Sequence, residues 1–223
     1  MEPALTVDPP RRGRGRRPAA EVRDEVLGAA AELLFADGMG AFTIDKVANR
    51  SGASKMTIYK WWRSKGALAL DGYFHKVAPE LAFPDTGDIE ADLRAQLHAF
   101  LRVISDSPAG RVIAELIGQA QSDPELKAGY LQRYSSPRRA LAVAAIEKAK
   151  ARGQLRASMD PETVVDQLWG ACYHRLLLPD QPLTHEFVDA LVDNLFRGIA
   201  GQARARPGRC GVSVTYLSSP AKP

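Results

Sequence analysis

A series of short polar residues, most of them followed at once by proline, limits what residues 88–200 can become. Asp88, Asp106 or Ser107 before Pro108, Asp123 before Pro124, Ser136 before Pro137, Asp160 before Pro161, and Thr184 all have the chemistry of helix starts. Side-chain oxygens of this kind accept from the free N–H groups of a first turn, and proline is tolerated at the first helical position because its missing N–H would have no partner there. The series predicts helices near 88–105, 108–121, 124–135, 137–152, 161–178 and 185–200. Few segments alternate as strands do and no internal repeat is visible, so an all-α chain is expected.

Upstream, Val22, Val26, Leu27, Ala30, Leu33 and Leu34 recur at helical spacing over about 21–37, with Glu21, Asp24 and Glu25 in the first turn. Asp37-Gly38 stops this helix, and Phe42 is expected to pack beneath the helices after it. The stretch from Thr43 to Lys65, TIDKVANRSGASKMTIYKWWRSK, parses as two short helices about a tight turn. Thr43 is placed to cap the first, Val47 and Ala48 form its apolar stripe, Gly52 suits a left-handed turn, and Ser54 caps a second helix from Lys55. At about 100° per residue, Ile58 and Trp62 share the buried side of that helix. Met56 and Lys60 then point outward, with Lys55, Thr57 and Tyr59 on the shoulders. Such a strip of cation, methyl, hydroxyl and phenol suits thymine methyls, base acceptors and phosphate oxygens. Ser64 caps a further helix over 65–77, whose N-terminus and Lys65 suit a phosphate.

Thr43, Val47-Ala48, Gly52-Ala53-Ser54, Ile58-Tyr59, Trp61-Trp62 and Ser64-Lys65 together resemble the helix-turn-helix pattern of the TetR family of bacterial transcriptional regulators. Ala53 stands where valine is usual, Ser51 where alanine is usual, and Trp61-Trp62 where His/Tyr-Phe is commoner. The resemblance implies a phosphate contact at Trp61, whose indole N–H would be the donor. Between Leu116 and Leu191 the chain also resembles one C-terminal subtype of the family, through QSDPEL, a Ser-Pro-Arg-Arg helix start, ARGQLR, a Tyr-His-Arg-Leu-Leu-Leu run and FVDALVD. The implied architecture is a three-helix helix-turn-helix domain joined by a linking helix to a helical ligand-binding and dimerisation domain. The expected divisions are a basic arm (1–18), the DNA-binding domain (19–66), the helical body (67–200) and a tail (201–223).

Charge is distributed accordingly. Residues 1–66 carry 12 Lys and Arg against 8 Asp and Glu, residues 67–200 carry 14 against 18, and residues 201–223 carry 4 against none. A basic end on an acidic body suits a protein that lays one end on phosphates. Arg14, Arg16 and Arg17, in RRGRGRRP, resemble a degenerate AT-hook able to enter a narrow minor groove; a solvated tail with only nonspecific attraction is an equal alternative.

Other function classes find little support. Cys172 and His174 lie two apart on different helix faces, and His75, His98 and His185 stand on separate segments, so neither a metal site nor a catalytic constellation is expected. No phosphate-binding Gly-rich loop occurs, and no cofactor is expected. With two cysteines there is no disulfide framework. Without a membrane-spanning run or a signal-peptide core, a cytoplasmic protein is expected.

In the body, Val165, Leu168, Cys172 and Leu176 line one helix face while Trp169, Tyr173 and Leu177 line the next, and the last helix, with Phe187, Leu191 and Leu195, is likewise apolar over more than one stripe; arcs too wide for one neighbour point to a homodimer. The resemblance implies a small-molecule pocket between the helices near 88–105, 108–121 and 161–178. Leu101, Ile104, Ile113, Ile117, Gln121, Tyr134, Trp169 and Tyr173 are the candidates to line it; each apolar one is more readily explained as plain core, and Gln121 and Tyr173, whose polar tips need a partner inside, are the stronger candidates. The expected function is a ligand-responsive repressor on an inverted-repeat operator; the alternative is a sequence-tolerant DNA-binding protein without a ligand response.

Overall fold

A computed structural model describes residues 17–198, and among them ten α-helices succeed one another with no strand. Helix α1 (Ala19–Ala41) is broken after Asp37 by Gly38, whose φ of 74° only glycine adopts without strain. Helices α2 (Ile44–Ser51), α3 (Lys55–Trp61) and α4 (Lys65–Val77) each begin on a hydroxyl. Thr43, Ser54 and Ser64 accept from the N–H groups of Lys46, Thr57 and Ala67 at 3.2, 3.1 and 3.1 Å. Between α2 and α3, Gly52 takes the left-handed turn at φ 68°.

These helices close over one apolar centre. Val26 and Leu34 of α1, Phe42, Val47, Ile58, Trp62 and Leu68 are all buried there. Helix α1 lies along α4 at very short range, because a Cβ added at Gly72 would stand 2.9 Å from Ala30 Cβ and 3.2 Å from Ala31 N. At that spacing the two backbones are in direct contact, with no room for a side chain between them.

A 3₁₀ turn (Ala78–Leu81) around Pro79 leads out of α4. The buried Asp92 then holds the adjoining loop, accepting from Thr86 N at 3.1 Å and Thr86 Oγ1 at 2.7 Å. The body comprises α5 (Ile89–Ser105), α6 (Ala109–Ala120), α7 (Pro124–Tyr130), α8 (Ser136–Ala151), α9 (Pro161–Leu177) and α10 (His185–Arg197). Asp88, Asp123, Asp160 and Thr184 cap α5, α7, α9 and α10 as their spacing predicts. Helix α5 packs on α10 and α8 on α9, while α6 faces α1, α4 and α7.

Two helix starts differ. Helix α6 begins at Ala109 with Pro108 itself at the cap position and no side-chain cap, Ser107 Oγ instead accepting from Ala109 N at 3.2 Å. Ser136 does not cap: α7 runs through a π-helical turn (Leu131–Ser135) into α8 without a break, with Ser135 and Ser136 both helical. Pro137 has no N–H for the carbonyl four residues back and its ring crowds that carbonyl, so the chain takes a wider turn in which Ser136 N donates to Leu131 O. The widened turn places Tyr130 and Tyr134 on the inner side of the body, within one tight aromatic group.

Candidate nucleic-acid interface and cavity

Helix α3 divides its residues by one period. Ile58 is buried, as is Trp62 just after the helix, while Met56 is 83% exposed, Tyr59 51% exposed, and Lys60 exposed beside them. Lys55 is exposed and paired with Asp45 of α2, whose carboxylate raises its ammonium pKa. Thr57 is half-buried and its hydroxyl lies 2.9 Å from that of Ser54, so both serve the helix start as well as the surface. Arg63, not anticipated, adds an exposed cation between α3 and α4. An apolar group, a phenol and a cation at one-turn spacing on a convex surface form a face suited to a major groove.

Trp61 and Trp62 diverge in use. Trp62 is buried and its Nε1 donates to Asp71 of α4 at 2.8 Å, with Arg23 5.5 Å over its ring. Trp61 is half-buried and packs edge-on to Trp62 at 5.6 Å. Lys65 is exposed, but its ammonium donates to Met39 O at 3.2 Å and so braces the turn after α1. Arg17 pairs with Glu25 at 2.5 Å; Arg14 and Arg16 lie outside the described residues, as does the tail from 201.

Two polar contacts join this head to the body. Glu115 of α6 accepts from Met39 N at 2.8 Å, and Asp71 accepts from Arg133 of the π turn at 2.9 Å while holding Trp62. On the inner side of the same turn, Tyr134 stacks on Phe74 of α4 with centroids 3.7 Å apart and planes 10° from parallel.

Tyr134 also forms part of the wall of a cavity of about 240 Å³ between α5, the α7–α8 turn and α9. Six of the cavity's fifteen lining residues are aromatic: Phe83, Phe100, Tyr130, Tyr134, Trp169 and Tyr173. Burial pushes the Tyr134 phenol up to about 12 and raises Tyr130 and Tyr173 as well, so all three present neutral hydroxyls. Two cations reach the wall. Arg139 is neutralised by Glu162 and Asp166, the latter at 2.6 Å. Arg138 instead donates through Nη2 to Leu81 O at 2.6 Å. With the buried Gln96 amide turned to satisfy both its ends, Nη2 also reaches Gln96 Oε1 at 2.9 Å. Among the described residues no group of His, Cys, Asp or Glu could hold a metal ion.

Residues 26–71 match the model of bacterial regulatory proteins of the tetR family, and residues 83–195 match that of the tetracyclin repressor-like C-terminal domain. The chain belongs to the TetR family. Among its relatives is the uncharacterized HTH-type transcriptional regulator YdeS of Bacillus subtilis, 37% identical over 83% of this chain and 93% of that one. A second is the DNA-binding transcriptional repressor TetR of Mycobacteroides abscessus, 30% identical over 76% of this chain and 89% of that one. Of the solved structures, that of the TetR family transcription regulator SCO0332 is 56% identical and covers 81% of this chain and 100% of its own, with a TM-score of 0.76. The protein is thus a DNA-binding, TetR-family transcriptional regulator of all-α fold, and no helix among the described residues is long and apolar enough to cross a membrane.

In this TetR-family chain the cavity gathers Tyr134, Trp169 and Tyr173 but not the other five residues predicted to line it. Leu101, Ile104 and Ile113 are core, Ile117 is half-buried, and Gln121 is exposed with its amide on Ile117 O at 3.1 Å. The reason is the position of α6, whose apolar side is taken up by α1 and α4, so it seals the head against the body instead of walling the cavity. Val165, Leu168 and Cys172, expected to meet a twofold partner, are buried in their own chain, Val165 at the cavity and the Cys172 thiol pushed up to about 12 by burial. Leu176, Phe187, Leu191 and Leu195 are half-buried and remain open to a neighbour, joined by Leu177 and Leu178, the latter 62% exposed. Asp71, Arg133, Glu115, Gln96 and Arg138 escaped the sequence reading. Only Gln96 left a signal, an amide on the apolar stripe formed by Ile89, Leu93, Leu97 and Phe100.

Proposed function

We propose that this regulator is a ligand-responsive repressor that binds an inverted-repeat operator as a homodimer. The observation that carries the reading is the double use of the turn Leu131–Ser135. Its Tyr134 lines the cavity and stacks on Phe74 of α4, while its Arg133 holds Asp71, which holds Trp62 at the end of the reading helix. A molecule that shifts Tyr134 therefore displaces α4, and α4 cannot move without α1 because of their close approach at Gly72. Ligand affinity and operator affinity are then coupled with equal strength in both directions.

Two heads are needed because a single α3 presents only about two turns of side chains to the groove, and symmetric half-sites multiply its selectivity. The half-buried leucines and Phe187 on α9 and α10 supply an apolar face for the second copy. Repression is supported by the relative from Mycobacteroides abscessus, itself named a repressor.

Recovery of bound genomic fragments, then footprinting and sedimentation, tests the reading. An inverted repeat protected by a dimer, with a specificity ratio of about a thousandfold over random duplex, is the expected result. A monomer, or affinity that depends on salt but not on sequence, would replace it with the sequence-tolerant alternative.

A further inference from the structure

The cavity has a chemical bias that narrows its ligand, an inference that rests on the ligand-responsive reading above. Flat rings supply six of the fifteen wall residues, with Phe100 and Tyr173 tilted at 5.4 Å and Trp169 beside them. Such surfaces stack best on another flat, polarisable group. The volume of about 240 Å³ lies below the roughly 300–1,000 Å³ of drug-sized sites, which suits a ligand of one ring or two fused rings, and it is the flat wall that favours rings over an alkyl chain.

Charge sets the second requirement. Asp166, the carboxylate at the wall, is committed to Arg139. Arg138 is half-buried and has no carboxylate partner among the described residues; only its Nη2 meets protein acceptors, both of them uncharged. A partly desolvated guanidinium without a counter-ion is costly, and an anion brought to it gains a charge-assisted hydrogen bond. The neutral phenols of Tyr130, Tyr134 and Tyr173 add donors but no formal negative charge, and the Tyr134 ring, 5.7 Å from the Arg138 guanidinium, offsets only part of its desolvation.

We propose that the cavity takes a small planar aromatic anion, with its rings among Phe100, Tyr134, Trp169 and Tyr173 and its carboxylate or phenolate oxygen on Arg138. Calorimetry on the full chain with four probes tests this: 2-naphthoate, the neutral 2-naphthamide, the cationic 2-naphthylmethylammonium, and the aliphatic decanoate. 2-Naphthoate is expected to bind about tenfold or more tightly than each of the others. In Arg138→Gln, naphthoate is expected to lose about tenfold while naphthamide stays within about threefold, and Arg138→Lys is expected to recover part of the loss. Naphthoate binding no tighter than the ammonium or decanoate, absence of binding by all four, or equal losses for naphthoate and naphthamide would each overturn the proposal. If Arg138→Gln does not fold, the four-probe series on the unaltered chain decides alone. A parallel gel shift separates this from the regulatory reading. Naphthoate that binds without releasing operator leaves the ligand class standing and removes the response, whereas release by decanoate or the ammonium does the reverse.

Discussion

The reading head and the cavity wall use polar side chains in opposite directions. In the head, Met56, Tyr59 and Lys60 face outward, and each helix start is closed by a hydroxyl three residues from the N–H it serves. Around the cavity, Gln96, Arg138 and the tyrosines face inward and come from segments as far apart as Gln96 and Tyr173. An outward surface can be altered without touching the fold. An inward one is tied to packing on every side, so its chemistry and its stability are one problem. Asp71 sits where the two regimes meet, with an oxygen that serves both Trp62 of the head and Arg133 of the body.

The sharpest contrast is between a packing glycine and a reading residue. Gly110→Ala would set a Cβ 2.1 Å from Ile104 O, and the α5–α6 corner must open, at a cost of about 3 kcal/mol or more. Urea unfolding measures it; an unchanged midpoint would show that the corner yields freely. Lys60→Ala should do the opposite, leaving the melting temperature nearly unchanged while removing about 1–3 kcal/mol of discrimination between operator and altered operators. Quantitative gel shifts on single-base operator variants provide the reading, and a uniform loss on every sequence would make Lys60 an anchor instead.

Asp71→Asn tests the meeting point. Its carboxylate is largely enclosed between Arg133 and Trp62, and neutralising it should cost about 1–2 kcal/mol of stability. More tellingly, it should weaken ligand-driven operator release while ligand affinity in the absence of DNA is retained. Release at full strength would assign the coupling to the Tyr134–Phe74 stack alone.

The smallest effect belongs to the surface pairs of α5 and α10. Arg94 holds Asp189 and Asp193 below the ordinary aspartate range, with His98 adding to the effect on Asp189. Because the unfolded chain takes up protons first as pH falls, the stabilisation is complete above about pH 4 and is lost as pH drops through the lower folded values. Thermal melts between about pH 6 and pH 3 should fall more steeply for the native chain than for Arg94→Gln, and by little, since such exposed pairs are well solvated. Parallel curves would mean that the pairs contribute nothing measurable.

Elements whose causes are local were legible in the residues. Thr43, Ser54, Ser64, Asp88, Asp123, Asp160 and Thr184 each bond an N–H within three positions, so spacing alone located the helices they start. Ser136 failed because a proline's missing N–H is compatible with a helix start and with a π turn alike, and only the continuing chain distinguishes them. The outward strip of α3 was readable for a related reason: a short helix with one buried side has one remaining face.

The cavity was not readable in the same way. Leu101, Ile113, Val165 and Leu168 show that an apolar stripe declares burial without naming the neighbour that provides it. By itself, the sequence determined an all-α chain, a helix-turn-helix with Met56 and Lys60 outward, and a basic end on an acidic body, because capping, periodicity and charge act over a few residues or simply add up. Tertiary structure decided that α6 would seal the junction, that Arg138 would stand without a counter-ion among the described residues beside a cluster of rings, and that Asp71 would join head to body. Those outcomes depend on which faces of distant helices meet, and burial, being non-directional, favours many such pairings almost equally until polar contacts and close packing select one.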